Sequence, residues 1–159
     1  ERAGHAGAQA EATGDGMTCI AWDGKTLAAD KMSCSVGYGY TVTKIYRLAN
    51  GGIVGFSGDG DGAMALLAWL NSPRDAAAYP LGQKDNDTSA LVIEPGGAVW
   101  SYGKTAYPQR IECQRYAMGH GRDFALAAMH LGKSAREAVE VACALDVFCG
   151  NGIDTLELT

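Results

Sequence analysis

No run of apolar residues in this chain approaches the ~20 needed to cross the hydrocarbon core of a bilayer, so no membrane-spanning helix is expected. Clusters of basic residues are missing too. The 13 lysines and arginines are scattered among 18 aspartates and glutamates, with a formal charge of −5, which leaves no electrostatic footprint for nucleic acid or for an anionic membrane surface. The five cysteines (Cys19, Cys34, Cys113, Cys143, Cys149) are odd in number and form no CxxC pair, against both a disulfide framework and a structural zinc site. They read as reduced thiols, mostly buried, in a cytoplasmic protein. Histidine is scarce as well: His5, His120 and His130 are the full set. Cys34, Cys113 and His130 are too isolated to suggest a metal. "GFSGDGDG" lacks the lysine-serine ending of a phosphate-binding loop and the spaced ligands of a calcium loop, so neither cofactor nor metal is expected.

What the chain does have is 22 glycines and 47% hydrophobic residues over 159 positions, the profile of one compact, turn-rich domain. Residues 1–16, "ERAGHAGAQAEATGDG", contain almost no large apolar side chains and no secretory apolar segment. The pattern changes at Met17. Residues 1–17 are therefore read as a leader, a propeptide or foreign sequence, and 18–159 as the folded domain.

Turn chemistry and hydrophobic period divide that domain. "TCIAW" and "TLAAD" flank Asp23-Gly24, a dipeptide suited to the positive φ values of a tight hairpin. "TVTKIYRL" and "GIVGFSG" form a second hairpin around Ala49-Asn50-Gly51, and "TSALVIE" and "AVWSY" a third around Pro95-Gly96-Gly97. "DGDGAMALLAWLNSP" switches to helical spacing through Ala63, Leu66, Leu67 and Leu70, with Asp59 or Asp61 as cap and Pro73 beyond the end. Residues 72–87 are polar, carry Pro73 and Pro80, and read as a surface loop. "YAMGHG" predicts a strand ending in glycines, and "RDFALAAMHLG" a helix closed by Gly132. "SAREAVEVACAL" predicts a third helix, opened by a Ser134/Glu137 capping box and burying Ala138, Val141, Ala142 and Leu145. "GIDTLEL" is a last strand. Hairpins with segregated helices predict an α+β arrangement of packed antiparallel sheets covered by helices.

Thr18 is the residue on which function turns. Taken alone it is an ordinary strand threonine. If everything before it were removed, it would carry a hydroxyl and a free α-amine of pKa ~7.7–8.0, giving nucleophile and general base in one residue. Such a site needs a nearby cation, an acid to hold it and backbone N–H groups for the oxyanion. Lys44, Asp30 and the glycine run from Gly55 to Gly60 are the candidates. Singly, each has a plainer explanation: a solvated lysine, a turn residue, a bend into a helix.

Together they resemble the N-terminal nucleophile (Ntn) hydrolases of the proteasome β-subunit type, including the bacterial ATPase-partnered, HslV-type threonine peptidase. The resemblance rests on Thr18-Cys19 before a hairpin, Ala28-Ala29-Asp30, Lys44-Ile45-Tyr46-Arg47-Leu48, Gly55-Phe56-Ser57-Gly58, and Gly119-His120-Gly121 before Phe124-Ala125. It spans residues 18–159. It implies a four-layer αββα sandwich and amide hydrolysis through an acyl ester on Thr18. Lys44 would tune the nucleophile, Asp30 would orient Lys44, and the Gly55 N–H would receive the oxyanion. It further implies peptide or unfolded-protein substrates, a homo-oligomeric ring or other closed assembly, and room for an ATPase unfoldase partner.

The sequence departs from the family at two places. His120 stands where the family has a serine, and either substitutes as a proton relay of ordinary pKa ~6.5 or weakens activity; Asp146 is the nearest candidate for the late acid. Residues also precede Thr18. Either a methionine aminopeptidase exposes Thr18 from a natural start at Met17, or the chain cuts itself at Met17–Thr18, where the family more often has glycine before threonine. Until then the Thr18 nitrogen is an amide and cannot act as a base. Two other readings stay open: a catalytically silent structural subunit of such an assembly, and an Ntn amidase acting on a small amide.

Overall fold

A computed structural model of the chain describes residues 17–82 and 86–159. The leader expected over 1–17 therefore lies, Met17 apart, outside the described residues. In chain order the first half forms β1 (Ile20–Trp22), β2 (Thr26–Asp30), β3 (Met32–Ser35), β4 (Tyr38–Thr41), β5 (Ile45–Arg47), β6 (Ile53–Ser57) and α1 (Gly60–Leu70). There follow β7 (Ser89–Ile93), β8 (Val99–Tyr102), β9 (Gln109–Ile111), β10 (Tyr116–Met118), α2 (Arg122–His130), α3 (Ala135–Leu145) and β11 (Ile153–Glu157).

All strand pairs are antiparallel. One sheet has the order β10-β1-β2-β11, a second is the meander β5-β6-β7-β8-β9, and β3-β4 is a separate ribbon. The Asp23-Gly24 turn forms as its sequence predicts: Gly24 takes φ +97°, and Asp23 Oδ1 accepts the Lys25 and Thr26 N–H groups at 3.0 and 2.8 Å. That turn sets the register Ile20↔Ala29 and Trp22↔Leu27.

Register decides which side chains face which neighbour, because successive residues point to opposite faces of a strand. Cys19, Ala21, Ala28 and Ala117 pack under α2 and α3, against Ala125, Met129, Ala138, Val139 and Ala142. The alternate residues Ile20, Trp22, Leu27 and Ala29 meet Ile45, Ile53, Leu91, Ile93 and Val99 of the meander. The opposite face of the meander, with Val54, Phe56, Ala90 and Val92, holds Ala63, Leu66, Trp69 and Leu70 of α1. Burying one Ile or Leu side chain is worth about 1.5–3 kcal/mol, so the fully buried Ile20, Leu27, Ile53 and Leu91 anchor the two sheets to each other.

Asp59 is the cap of α1, its carboxylate accepting the Gly62 N–H at 2.9 Å. Ser134 caps α3 through the Glu137 N–H at 3.2 Å and donates its hydroxyl to the Glu137 carboxylate at 3.1 Å.

Several expectations are corrected. The β3-β4 hairpin is absent from the sequence reading because its turn is Val36-Gly37, with φ +43° and +78°. A β-branched residue in the left-handed region carries none of the usual Asn-Gly or Asp-Gly signal. Strand β9 is likewise absent from the sequence reading, because its three residues are too few to show a period. Leu145 does not join the buried face of α3. It is the last residue of the helix and 62% exposed, and Val139 takes its place in the core. The 72–87 segment, of which 83–85 lie outside the described residues, is more than a surface loop. Leu81 is buried, and Tyr79 stands edge-on to Trp69 at 4.9 Å. Of the five cysteines only Cys19 and Cys149 are buried; all five are unpaired thiols. No helix among the described residues is long and apolar enough to cross a membrane.

Candidate active site

Thr18 enters β1 with its backbone fixed on both sides. Its carbonyl oxygen accepts the Gly121 N–H at 3.1 Å, and the next residue's N–H, on Cys19, is donated to Asp30 Oδ1 at 2.9 Å. Gly119 passes so close that any Cβ there would run into the Thr18 carbonyl, and its φ is +91°. Only glycine meets both conditions.

Asp30 ends β2 with no exposed surface. Its carboxylate has four donors: Cys19 N–H and Lys44 Nζ on Oδ1, and the N–H groups of Gly150 (3.0 Å) and Met32 (3.3 Å) on Oδ2. A buried carboxylate is tolerable only when its lone pairs are satisfied in this way. Lys44, just before β5 and also buried, bridges Asp30 Oδ1 at 2.8 Å and the Met17 carbonyl oxygen at 3.1 Å. The three residues singled out on either side of the first hairpin therefore converge. Asp30 holds the cation, and the cation sits on the peptide group that precedes Thr18.

A cavity of about 680 Å³ opens beside them. Met17, Thr18 and Lys44 form one wall, Cys34 and Tyr40 of the β3-β4 ribbon another, and Phe56 and Met64 add apolar surface. The volume falls within the ~300–1,000 Å³ of ordinary ligand clefts.

His120 lies between the two glycines that clamp Thr18. Its Nδ1 is 2.5 Å from Asp146 Oδ2, and the Phe148 ring stands edge-on to the imidazole at 4.8 Å. Burial works to raise the Asp146 carboxyl, but hydrogen bonds from His120 and the Phe148 N–H outweigh it and hold the group below the usual carboxylate range. His120 does not line the cavity; it reaches Thr18 through the backbone of Gly119 and Gly121. Burial and the nearby Asp30 charge push the Cys19 thiol well up, and burial drives Cys143 to about 11. These thiols stay protonated and are poor rivals to Thr18 as nucleophile.

Solved structures share this architecture. BPH from Thiobacillus denitrificans, in complex with epoxomicin, superposes with a TM-score of 0.65 at 18% identity, covering 89% of this chain and 98% of its own. A further structure of that protein gives 0.64 at 19% identity over the same shares. HslV from Trypanosoma brucei gives 0.64 at 19%, covering 88% of this chain and 97% of its own. The chain has the proteasome β-like Ntn hydrolase fold. No protein-family model matches the sequence, and no curated protein matches it significantly.

Within this Ntn fold the oxyanion role expected of Gly55 is corrected. The neighbouring Phe56 N–H is donated across to Lys44 C=O at 2.9 Å. The alternation of an antiparallel ladder then turns the Gly55 N–H the other way, to its partner Leu91 on β7. A Cβ on Gly55 would press to 3.0 Å from Ile20, so this glycine serves close packing between the sheets. Gly58, three residues on, lines the cavity with Thr18 and takes φ +97°. The "GFSG" run signalled a glycine at this strand end; only the strand's phase could say which. The Met17–Lys44 contact and the Phe148 ring against His120 had no sequence signal.

Proposed function

We propose that the chain is a threonine-type peptidase of the Ntn class, with Thr18 as nucleophile once residues 1–17 are removed. The observation that carries this reading is the buried Lys44–Asp30 pair at 2.8 Å beside Thr18, at the wall of a substrate-sized cavity. In the exposed form the Thr18 α-amine takes the hydroxyl proton, Oγ attacks the substrate carbonyl, and an acyl ester forms and is hydrolysed by water. The Lys44 charge favours ionisation of the hydroxyl, while Asp30 fixes the lysine. The Gly58 N–H is the oxyanion donor in place of Gly55, and one such donor is worth about 10²–10³ in rate. His120 and Asp146 act through the Gly119–Gly121 backbone to hold Thr18 in position.

The same reading takes residues 18–159 as one domain. The three apolar clusters fit an αββα order of four layers. The substrates are peptides or unfolded protein, enclosed in a homo-oligomeric assembly to which an ATPase partner can dock. The alternative of a silent structural subunit draws on one observation: His120 spends its Nδ1 on Asp146 and does not line the cavity.

A threonine-directed electrophile, applied to chain whose N-terminus is Thr18 by sequencing, separates the two. A covalent adduct on Thr18 and hydrolysis of an unstructured peptide are expected. Chain with that N-terminus that neither labels nor cleaves would leave the structural-subunit reading.

A further inference from the structure

The cavity beside Thr18 is also lined by two carboxylates for which the bond-breaking chemistry has no use, Asp59 and Asp87. They are tied together: the Asp59 N–H is donated to Asp87 Oδ1 at 3.1 Å, while Asp59 Oδ2 accepts the Gly62 N–H at 2.9 Å. The remaining oxygens, Asp59 Oδ1 and Asp87 Oδ2, take no hydrogen bond from a described residue, and neither side chain has an ion-pair partner among them. Lys44, the one cationic side chain among the described lining residues, is engaged by the buried Asp30 at 2.8 Å. The α1 N-terminus offsets about half a charge, less than the two carboxylates bring, so this part of the wall is anionic. Among the described residues no group of three His, Cys, Asp or Glu could hold a metal ion, which leaves an organic cation as the fitting partner. Apolar surface flanks the pair. Ala63 and Met64, three and four residues beyond Gly60 on α1, line the same cavity with Phe56, and Tyr40 and Tyr46 add aromatic faces on which a cation can rest. A long aliphatic stem ending in a positive charge matches such a wall.

We propose that the cavity selects peptides in which lysine or arginine is the residue whose carbonyl is attacked, with Asp59 and Asp87 as the specificity determinants. The inference rests on the peptidase reading and names the substrate class of that site. Asp59 directly follows Gly58, the oxyanion donor of that reading, so its carboxylate lies within reach of the side chain next to the reacting carbonyl. The cationic head takes the two open carboxylate oxygens, and its stem lies along Ala63, Met64 and Phe56. A neutral side chain of the same length fills the apolar part and leaves the carboxylates to water. An acidic side chain is repelled. Both carboxylates are exposed, so the attraction is screened by salt and the preference is a modest one.

The test has a binding arm and a cleavage arm. In the first, the full 159-residue chain is titrated with p-aminobenzamidine, an amidinium on an aromatic ring whose fluorescence rises in apolar surroundings. The wild type is expected to bind it, and Asp59→Asn/Asp87→Asn to bind it about tenfold more weakly, the low end for hydrogen bonds to charged groups in a site open to water. Asparagine keeps the acceptor that caps α1 and the one that Asp87 gives the Asp59 N–H, and melting curves check that the variant is folded. In the second arm, chain whose N-terminus is Thr18 by sequencing is given peptides that differ only in lysine, norleucine or glutamate at the residue whose carbonyl is attacked. Norleucine has the lysine stem without the ammonium group. The lysyl-to-norleucyl ratio of kcat/KM should be about ten, fall towards one in the double variant and shrink as salt is raised, with the glutamyl peptide cut most slowly. The proposal is overturned if the wild type does not bind the amidine, if the double variant binds it as tightly, or if the norleucyl peptide is cut as well as the lysyl one. Failure of the peptidase reading shows separately, as chain beginning at Thr18 that cuts none of the peptides and takes up no electrophile; the amidine titration then decides the cation preference by itself.

Discussion

His120 and Asp146 stand 2.5 Å apart, Nδ1 to Oδ2, although the imidazole is half exposed and the carboxylate almost fully covered. The pair joins the glycine clamp around Thr18 to the end of α3, and it makes part of the protein's stability dependent on acid. Asp146 has a depressed carboxyl in the folded chain. Its contribution is therefore present above the unfolded value of about 3.9 and is lost as pH falls through the lower, folded value. Thermal melts of wild type and Asp146→Asn between pH 5 and pH 2 should show a gap that closes in stronger acid. A gap that widens on acidification would contradict this sign.

Lys44 and Asp30 should be costly to separate and much cheaper to remove together. Either Lys44→Met or Asp30→Asn leaves one buried group without its partner, for a loss of about 3–5 kcal/mol. The double variant should cost clearly less than the sum of the singles. Urea midpoints of the four proteins complete the cycle, and additive losses would mean the pair is not coupled.

Two glycines with left-handed backbones should respond very differently to alanine. Gly37, φ +78°, has nothing within 4 Å of the added carbon, so Gly37→Ala should cost only the backbone strain of about 1–2 kcal/mol. Gly119→Ala adds a collision with the Thr18 carbonyl and should both destabilise more and abolish labelling of Thr18. Parallel melting and labelling experiments decide it; equal effects at the two positions would count against the clamp.

On α3, Val139→Ala should cost about 2 kcal/mol from lost burial and the space left behind. Leu145→Ala, at a site 62% exposed, should stay within about 0.5 kcal/mol. Denaturant titration of both variants tests the face of the helix that meets the sheet.

That last contrast shows what the sequence could and could not disclose. Local chemistry was legible: Asp23-Gly24 made its hairpin, Asp59 and Ser134 capped their helices, and the order of strands and helices other than β3, β4 and β9 followed from turn and period signals. Quantities set by three-dimensional phase were hidden. A four-residue spacing placed Leu145 on the core side of α3, but it is the last residue of the helix and stays exposed. The sequence also contained a glycine for the strand end after Lys44, and only the ladder's alternation distinguished Gly55 from Gly58. Thr18, Asp30 and Lys44 were nameable because each sits at the edge of a readable element. The Met17 carbonyl on Lys44 was not, since a backbone oxygen leaves no trace in residue type.

The clamp around Thr18 also limits how this site can diverge. Position 119 admits no side chain because of the Thr18 carbonyl, and a carbon added at 121 would come within 2.9 Å of both Cys149 Sγ and Cys19 Cβ. The residue between them, whose side chain is half open to solvent, has no such restriction. A side chain at position 120 therefore meets no backbone wall of the kind that its two neighbours do, and what holds it is its bond to Asp146 at the end of α3.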